Sequence, residues 1–135
     1  MSNPSGSPGV QRVSSGTAWE SLAGYSRAVR IGNVVAVSGT TASDEHGNTL
    51  FPADAYAQAK HILTKIGTAL EQAGGKMSDV IRTRVYVLNF GEWEDVARAH
   101  GEVFKDIRPA NTLVIVRSLV PDDALVEIEA DAIIA

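Results

Sequence analysis

Leu125-Val-Glu-Ile-Glu-Ala-Asp-Ala-Ile-Ile134 is the stretch whose reading decides the fold. Val126, Ile128, Ala130 and Ala132 alternate with Glu127, Glu129 and Asp131, the period of a strand with one apolar face and one acidic face. Such a strand needs a covering layer on its apolar side, and the chain before it must supply that layer.

Two segments have the pattern to do so. Beyond Asp54, which can cap a helix, Ala59, Ile62, Leu63, Ile66, Leu70 and Ala73 recur at helical spacing until Gly74-Gly75 stops them. Trp93, Val96, Ala97, His100, Val103 and Phe104 form a second apolar stripe that ends before Pro109. Between the helices, Asp79 to Asn89 sets Ile81, Thr83, Val85 and Val87 against Arg82, Arg84, Tyr86 and Leu88. This is again a strand with one buried face. Thr112 to Val116 is a continuous apolar run, as expected of a strand covered on both sides. Nearer the N-terminus, Val10 to Ser15 reads as a short strand, and Tyr25 to Ile31 as another with Tyr25, Arg27, Val29 and Ile31 on one face. Gly32-Asn33 is a hairpin turn, Val34 to Ser38 the return strand, and Thr40 to Pro52 an exposed polar loop.

The order strand, strand, strand, helix, strand, helix, strand, strand predicts an α+β fold: a single mixed β-sheet with two helices packed on one face. The second sheet face carries Tyr86, Leu88, Leu113, Ile115 and Ile133, too apolar to stay wet, so the sheets of several copies are expected to face inward in an oligomer. Residues 1–9, rich in Ser, Gly and Pro, read as a flexible tail, and residues 10–135 as one domain.

Composition narrows the function. With 44% apolar residues and a net charge of −4, the chain fits a folded domain without the basic face that nucleic acid or an anionic membrane demands. It has no cysteine, so thiolate chemistry and disulfides are excluded, and a cytoplasmic location is expected. The N-terminus lacks the pattern of a signal peptide, and no apolar run approaches membrane-spanning length. His46, His61 and His100 have no metal-ligand spacing, so no metal or other cofactor is expected. Ser38 has no Gly-x-Ser-x-Gly setting, which argues against a serine nucleophile.

Gly24-Tyr25, Gly32-Asn33, Val37-Ser38-Gly39, Ala73-Gly74, Pro109-Ala110-Asn111-Thr112 and Glu127-Ile128-Glu129-Ala130 fall in an order and spacing that resembles the YjgF/RidA family. The resemblance implies a homotrimer with a small-molecule ligand in an intersubunit cleft, and cofactor-free hydrolysis of reactive enamines and imines. It puts Glu127 at the position of the carboxylate that orients the attacking water, and Tyr25, Ser38 and Gly39 in the pocket wall. Where these deaminases carry the arginine that grips the substrate carboxylate, this chain has Asn111, a neutral amide in place of a charged bidentate fork. Thr40 and Ala97 replace a family glutamine and asparagine. Arg27, two residues from Tyr25 and on the same face if the strand is regular, is the preferred substitute cation, ahead of Arg108 and Arg117. The alternative to an enzyme is a non-catalytic trimer that binds a small metabolite as sensor or scavenger. An older family label, ribonuclease, is disfavoured by the acidic charge.

Overall fold

The computed structural model describes residues 9–135. Of the tail assigned to residues 1–9, residues 1–8 lie outside the described residues. The elements run β1 (Val10–Val13), α1 (Ala18–Ala23), β2 (Ala28–Ile31), β3 (Val34–Thr40), α2 (Ala55–Gln72), β4 (Val80–Val87), α3 (Trp93–Phe104), β5 (Ala110–Ile115) and β6 (Val126–Ile133). They form one six-stranded sheet in the order β1-β2-β3-β6-β4-β5. All neighbours are antiparallel except β4 and β5, and α3 provides the crossover that a parallel pair needs.

β6 lies in the middle, hydrogen-bonded to β3 on one side and β4 on the other. Its alternation is realised: Val126, Ile128, Ala130 and Ala132 are all fully buried. The long helix α2 lies against β3, β6 and α3, and buries Ala59, Ile62, Leu63, Ile66 and Leu70. Asp54 caps it by accepting a hydrogen bond from Ala57 N at 3.0 Å. Its end is set by Gly74 in the left-handed region at φ 91°, followed by a bond from Gly75 N to Leu70 O of 2.8 Å. A buried Gln58 ties the layers together, because its amide accepts from Leu125 N at 2.9 Å and donates to Phe51 O at 3.2 Å.

The sequence reading departs from this architecture in five places. A short helix, α1, occupies 18–23, where no element was expected; Thr17-x-x-Glu20 and Gly24, in the left-handed region, are its start and stop signals. β2 begins at Ala28 rather than Tyr25, because the return from α1 leaves Tyr25 and Ser26 outside the ladder. The stretch from Thr40 is not wholly exposed: Thr40 still belongs to β3, and Thr40, Thr41, Ala42 and Ser43 are all buried. β5 is a solvent-exposed edge strand, with Val114 and Ile115 open to solvent, and not a strand covered on both sides. Its register with β4 puts Leu113 and Ile115 on the helix side beside Val85 and Val87, where Leu113 packs partly on the core, and not on the opposite face as expected. In α3, Ala99 rather than Ala97 is fully buried beside Val96 and Phe104, because the helix is rotated by a fraction of a turn from the expected stripe.

The sheet face away from the long helices is charged at its centre. Arg84 pairs with Asp131 at 3.1 Å and the Tyr86 hydroxyl donates to the Glu129 carboxylate across β4 and β6. Among the described residues, no helix is long and apolar enough to cross a membrane.

Candidate functional site

The ladder between β3 and β6 pairs Val37 with Ala130 but then Thr40 with Ile128, so β3 carries one extra residue at Ser38-Gly39. A bulge of this kind bends a strand and re-aims the side chains beside it. Here it brings the backbone of Gly39 under the side chain of Glu127. A Cβ built on Gly39 would lie 2.6 Å from Glu127 Oε2 and 3.1 Å from its carboxyl carbon. Only glycine leaves room for the carboxylate in that position.

Arg27 approaches the same residue from β2's entrance. Its Nη2 donates to Gly39 O at 3.0 Å, and Ser38 N returns a bond to Arg27 O at 2.9 Å. The Arg27 side chain is only 7% exposed, and its guanidinium lies 5.6 Å from the centre of the Tyr25 ring. Arg27 and Tyr25 therefore do meet, although the regular strand that suggested it is absent. Arg27 Nε is buried without a hydrogen-bond partner among the described residues.

These groups line a cleft of about 440 Å³. Tyr25, Arg27, Gly39 and Glu127 from the sequence reading are all in its wall. Ser38 is adjacent but turned away: its hydroxyl donates to Ser26 O at 2.6 Å, which makes it a tie between β3 and the approach to β2. Asn111 stands apart. It lies on the edge strand β5, and its Oδ1 accepts from the hydroxyl of Thr83, fully buried on the helix-covered face, at 3.0 Å. Glu127 belongs to the opposite face of β6, so the fold of a single chain does not put Asn111 and Glu127 in one cavity. The same Thr83 oxygen is 2.8 Å from His100 Nε2. Since the single hydroxyl proton goes to Asn111, His100 donates from Nε2 in this arrangement. Of the lesser cation candidates, Arg108 and Arg117 are exposed and neither lines the cleft.

Sequence reading missed Lys65. It projects from α2 to the cleft, where Nζ donates to Thr41 O at 2.9 Å and Ser43 O at 3.2 Å. Its position directly before Ile66, at the edge of the apolar stripe, is the one available signal. Trp19, Leu119 and Val120 also line the cleft; Trp19 escaped notice because α1 did.

The electrostatics follow from this enclosure. Burial pushes the Glu127 carboxyl above its ordinary range; Arg27 pulls it back and Glu129 adds to the rise. Burial lowers Lys65, and the nearby charge of Arg27 lowers it further. The two carbonyl acceptors favour its ammonium form. Among the described residues no group of three His, Asp or Glu side chains is placed to hold a metal ion. A half-buried carboxylate with a raised pKa, facing two cations in a cleft with an apolar wall, can hold a water molecule and exchange a proton with it.

Residues 15–134 match the family model described as endoribonuclease L-PSP. An uncharacterized protein of Streptomyces coelicolor is 38% identical over 93% of both chains. A Mycobacterium tuberculosis crystal structure, Rv2704, described as a member of the YjgF/YER057c/UK114 family, is 45% identical over 93% of this chain and 99% of its own, with a TM-score of 0.84. Escherichia coli TdcF, solved with bound serine, is 26% identical over 82% of this chain and 88% of its own, with a TM-score of 0.74. With this fold, this central strand and these relatives across nearly its whole length, the chain belongs to the YjgF/YER057c/UK114 family, that of the L-PSP proteins.

Proposed function

We propose that the protein is a cofactor-free hydrolase of reactive imines and enamines, with a substrate preference altered by Asn111, and that it works as a homotrimer. The observation that carries this reading is the convergence of Glu127 and Arg27 on Gly39 inside one cleft. A protonated imine arrives with its own positive charge, so the protein need only hold it and direct water to the imine carbon. Arg27 meets the substrate carboxylate. Glu127 accepts one proton from the water as its oxygen bonds to carbon and passes it to nitrogen; as the C–N bond breaks, the carbinol O–H gives its proton to Glu127, which hands it to the departing ammonia. Water and iminium become a carbonyl compound and ammonium, with no redox change.

The exposed β5 edge and its apolar residues, Val114 and Ile115, support assembly, since a second copy would cover them. Serine bound to the related TdcF fits a site for amino-acid-sized ligands. The second reading, a binding protein without turnover, is favoured by one observation: Asn111 spends its carbonyl on Thr83 and offers no charge where these deaminases hold arginine. The test is ammonia release from freshly generated imines of several amino acids. Turnover abolished by Glu127→Gln supports the hydrolase, and binding of carboxylic acids without any ammonia release would leave the binding protein.

A further inference from the structure

We propose that Lys65 is the second cation of an anion subsite in this cleft, and that the ligand is a 2-imino or 2-oxo acid with one carboxylate and a bulky apolar or aromatic side chain. The proposal rests on the cleft just described and deepens its reading by naming the class of ligand.

The first support is charge. Lys65 and Arg27 bring two positive charges to the lining, and Glu127 is the one acidic side chain there. One positive charge is therefore left uncompensated in an enclosed space. The single carboxylate of a 2-oxo acid, or of a 2-imino acid whose imine nitrogen is unprotonated on entry, restores neutrality, whereas a dicarboxylate leaves a negative excess beside Glu127. The second support is unspent donor capacity. Arg27 makes one side-chain hydrogen bond among the described residues, to Gly39 O, and its Nε is buried with no partner. Lys65 commits two of its three N–H groups, to Thr41 O and Ser43 O, and those two bonds aim the ammonium group at the cleft. Burial depresses the Lys65 pKa and repulsion by Arg27 adds to it; that repulsion is relieved when an anion joins them.

The remaining lining sets the other half of the ligand. Trp19, Tyr25, Leu119 and Val120 form an apolar wall, and a cleft of about 440 Å³ exceeds what an alanine- or serine-sized ligand fills. A phenyl or isobutyl group covers that wall, and a methyl leaves it wet. Anion capture through Arg27 and Lys65 on a single chain also explains how the site dispenses with an arginine at position 111.

Binding of phenylpyruvate, 2-oxobutyrate, 2-oxoglutarate and the neutral amide of phenylpyruvate should be measured by calorimetry on the intact protein, Lys65→Gln and Lys65→Arg. Phenylpyruvate should bind at least about tenfold more tightly than the other three. Lys65→Gln should lose about tenfold for the acids and nothing for the amide, with Lys65→Arg restoring most of the loss. Equal binding of acid and amide, or a Lys65→Gln that binds phenylpyruvate as the native protein does, overturns the subsite. If Lys65→Gln fails to fold, isotope-labelled lysine in the native protein decides: the Lys65 Nζ resonance must move on adding phenylpyruvate, and an unmoved resonance overturns the proposal. Lys65-dependent binding without ammonia release would sink the hydrolase reading and leave the subsite standing; turnover indifferent to Lys65 would do the reverse.

Discussion

Glu127 Oε2 occupies the space where a β-carbon on Gly39 would be, 2.6 Å from its ideal position. The catalytic candidate and the glycine are thus one unit: the bulge in β3 makes the seat, and the missing side chain keeps it open. Gly39→Ala should evict the carboxylate while leaving the fold intact, because the glutamate end is free to swing away. Ammonia release is expected to fall at least about tenfold with a small change in Tm. Unchanged turnover would mean that the Glu127 position over Gly39 has no role.

Glu127→Gln keeps the shape and removes the base, so ligand binding should persist while turnover falls by about 10²-fold or more. An equal loss of binding and turnover would assign Glu127 to holding the ligand instead.

The raised pKa of Glu127 has two consequences of definite sign. As a base it works deprotonated, so turnover should be lost as pH falls through a midpoint above the ordinary 4.5 of glutamate. For stability, the folded state holds the Glu127 proton more tightly than the unfolded state does. This carboxyl therefore contributes most below its unfolded pKa, and that contribution is lost as pH rises through the window up to the folded value. Glu127→Gln should accordingly melt higher than the native protein at neutral pH, with the difference vanishing in acid. A lower Tm at neutral pH would show that the attraction of Arg27 outweighs burial.

Light scattering should give three times the 14.3 kDa chain mass. Ile115, 43% exposed on the β5 edge, makes a selective probe. Ile115→Glu costs a protomer little, because the side chain is already in water, yet it places a charge in any interface that covers the edge. It should yield folded monomers, and trimers unaffected by the change would place the interface elsewhere.

Asn111→Arg should improve turnover of small-side-chain imino acids by about ten- to a hundredfold, if a neighbouring copy carries this position to the cleft. The substitution removes the acceptor of the Thr83 proton, but Thr83 can then donate to His100 Nε2 once that ring changes tautomer. The stability cost should therefore stay small, as thermal melting will show. No gain in turnover would mean that position 111 does not reach a substrate.

Much of the fold was written locally. The alternation of Val126, Ile128, Ala130 and Ala132 fixed a half-buried strand, the stripe from Ala59 to Leu70 fixed the helix that covers it, and Asp54 and Gly74 marked its ends. These depend on residue spacing alone, and spacing is what a sequence records directly. The family residues likewise picked out Tyr25, Gly39 and Glu127, which the structure gathers into one cleft. What tertiary structure decided is everything that depends on register and neighbours. The bulge that seats Glu127 over Gly39 is one extra residue in a pairing of distant strands. The two carbonyls that orient Lys65 belong to a loop more than twenty residues earlier. Asn111 is separated from Glu127 because alternation sends their side chains to opposite faces of the sheet once β5 joins β4 at its edge. β5 itself is as apolar as a central strand and yet exposed, since strand order, set by which edges remain free to pair, is a property of the assembled sheet.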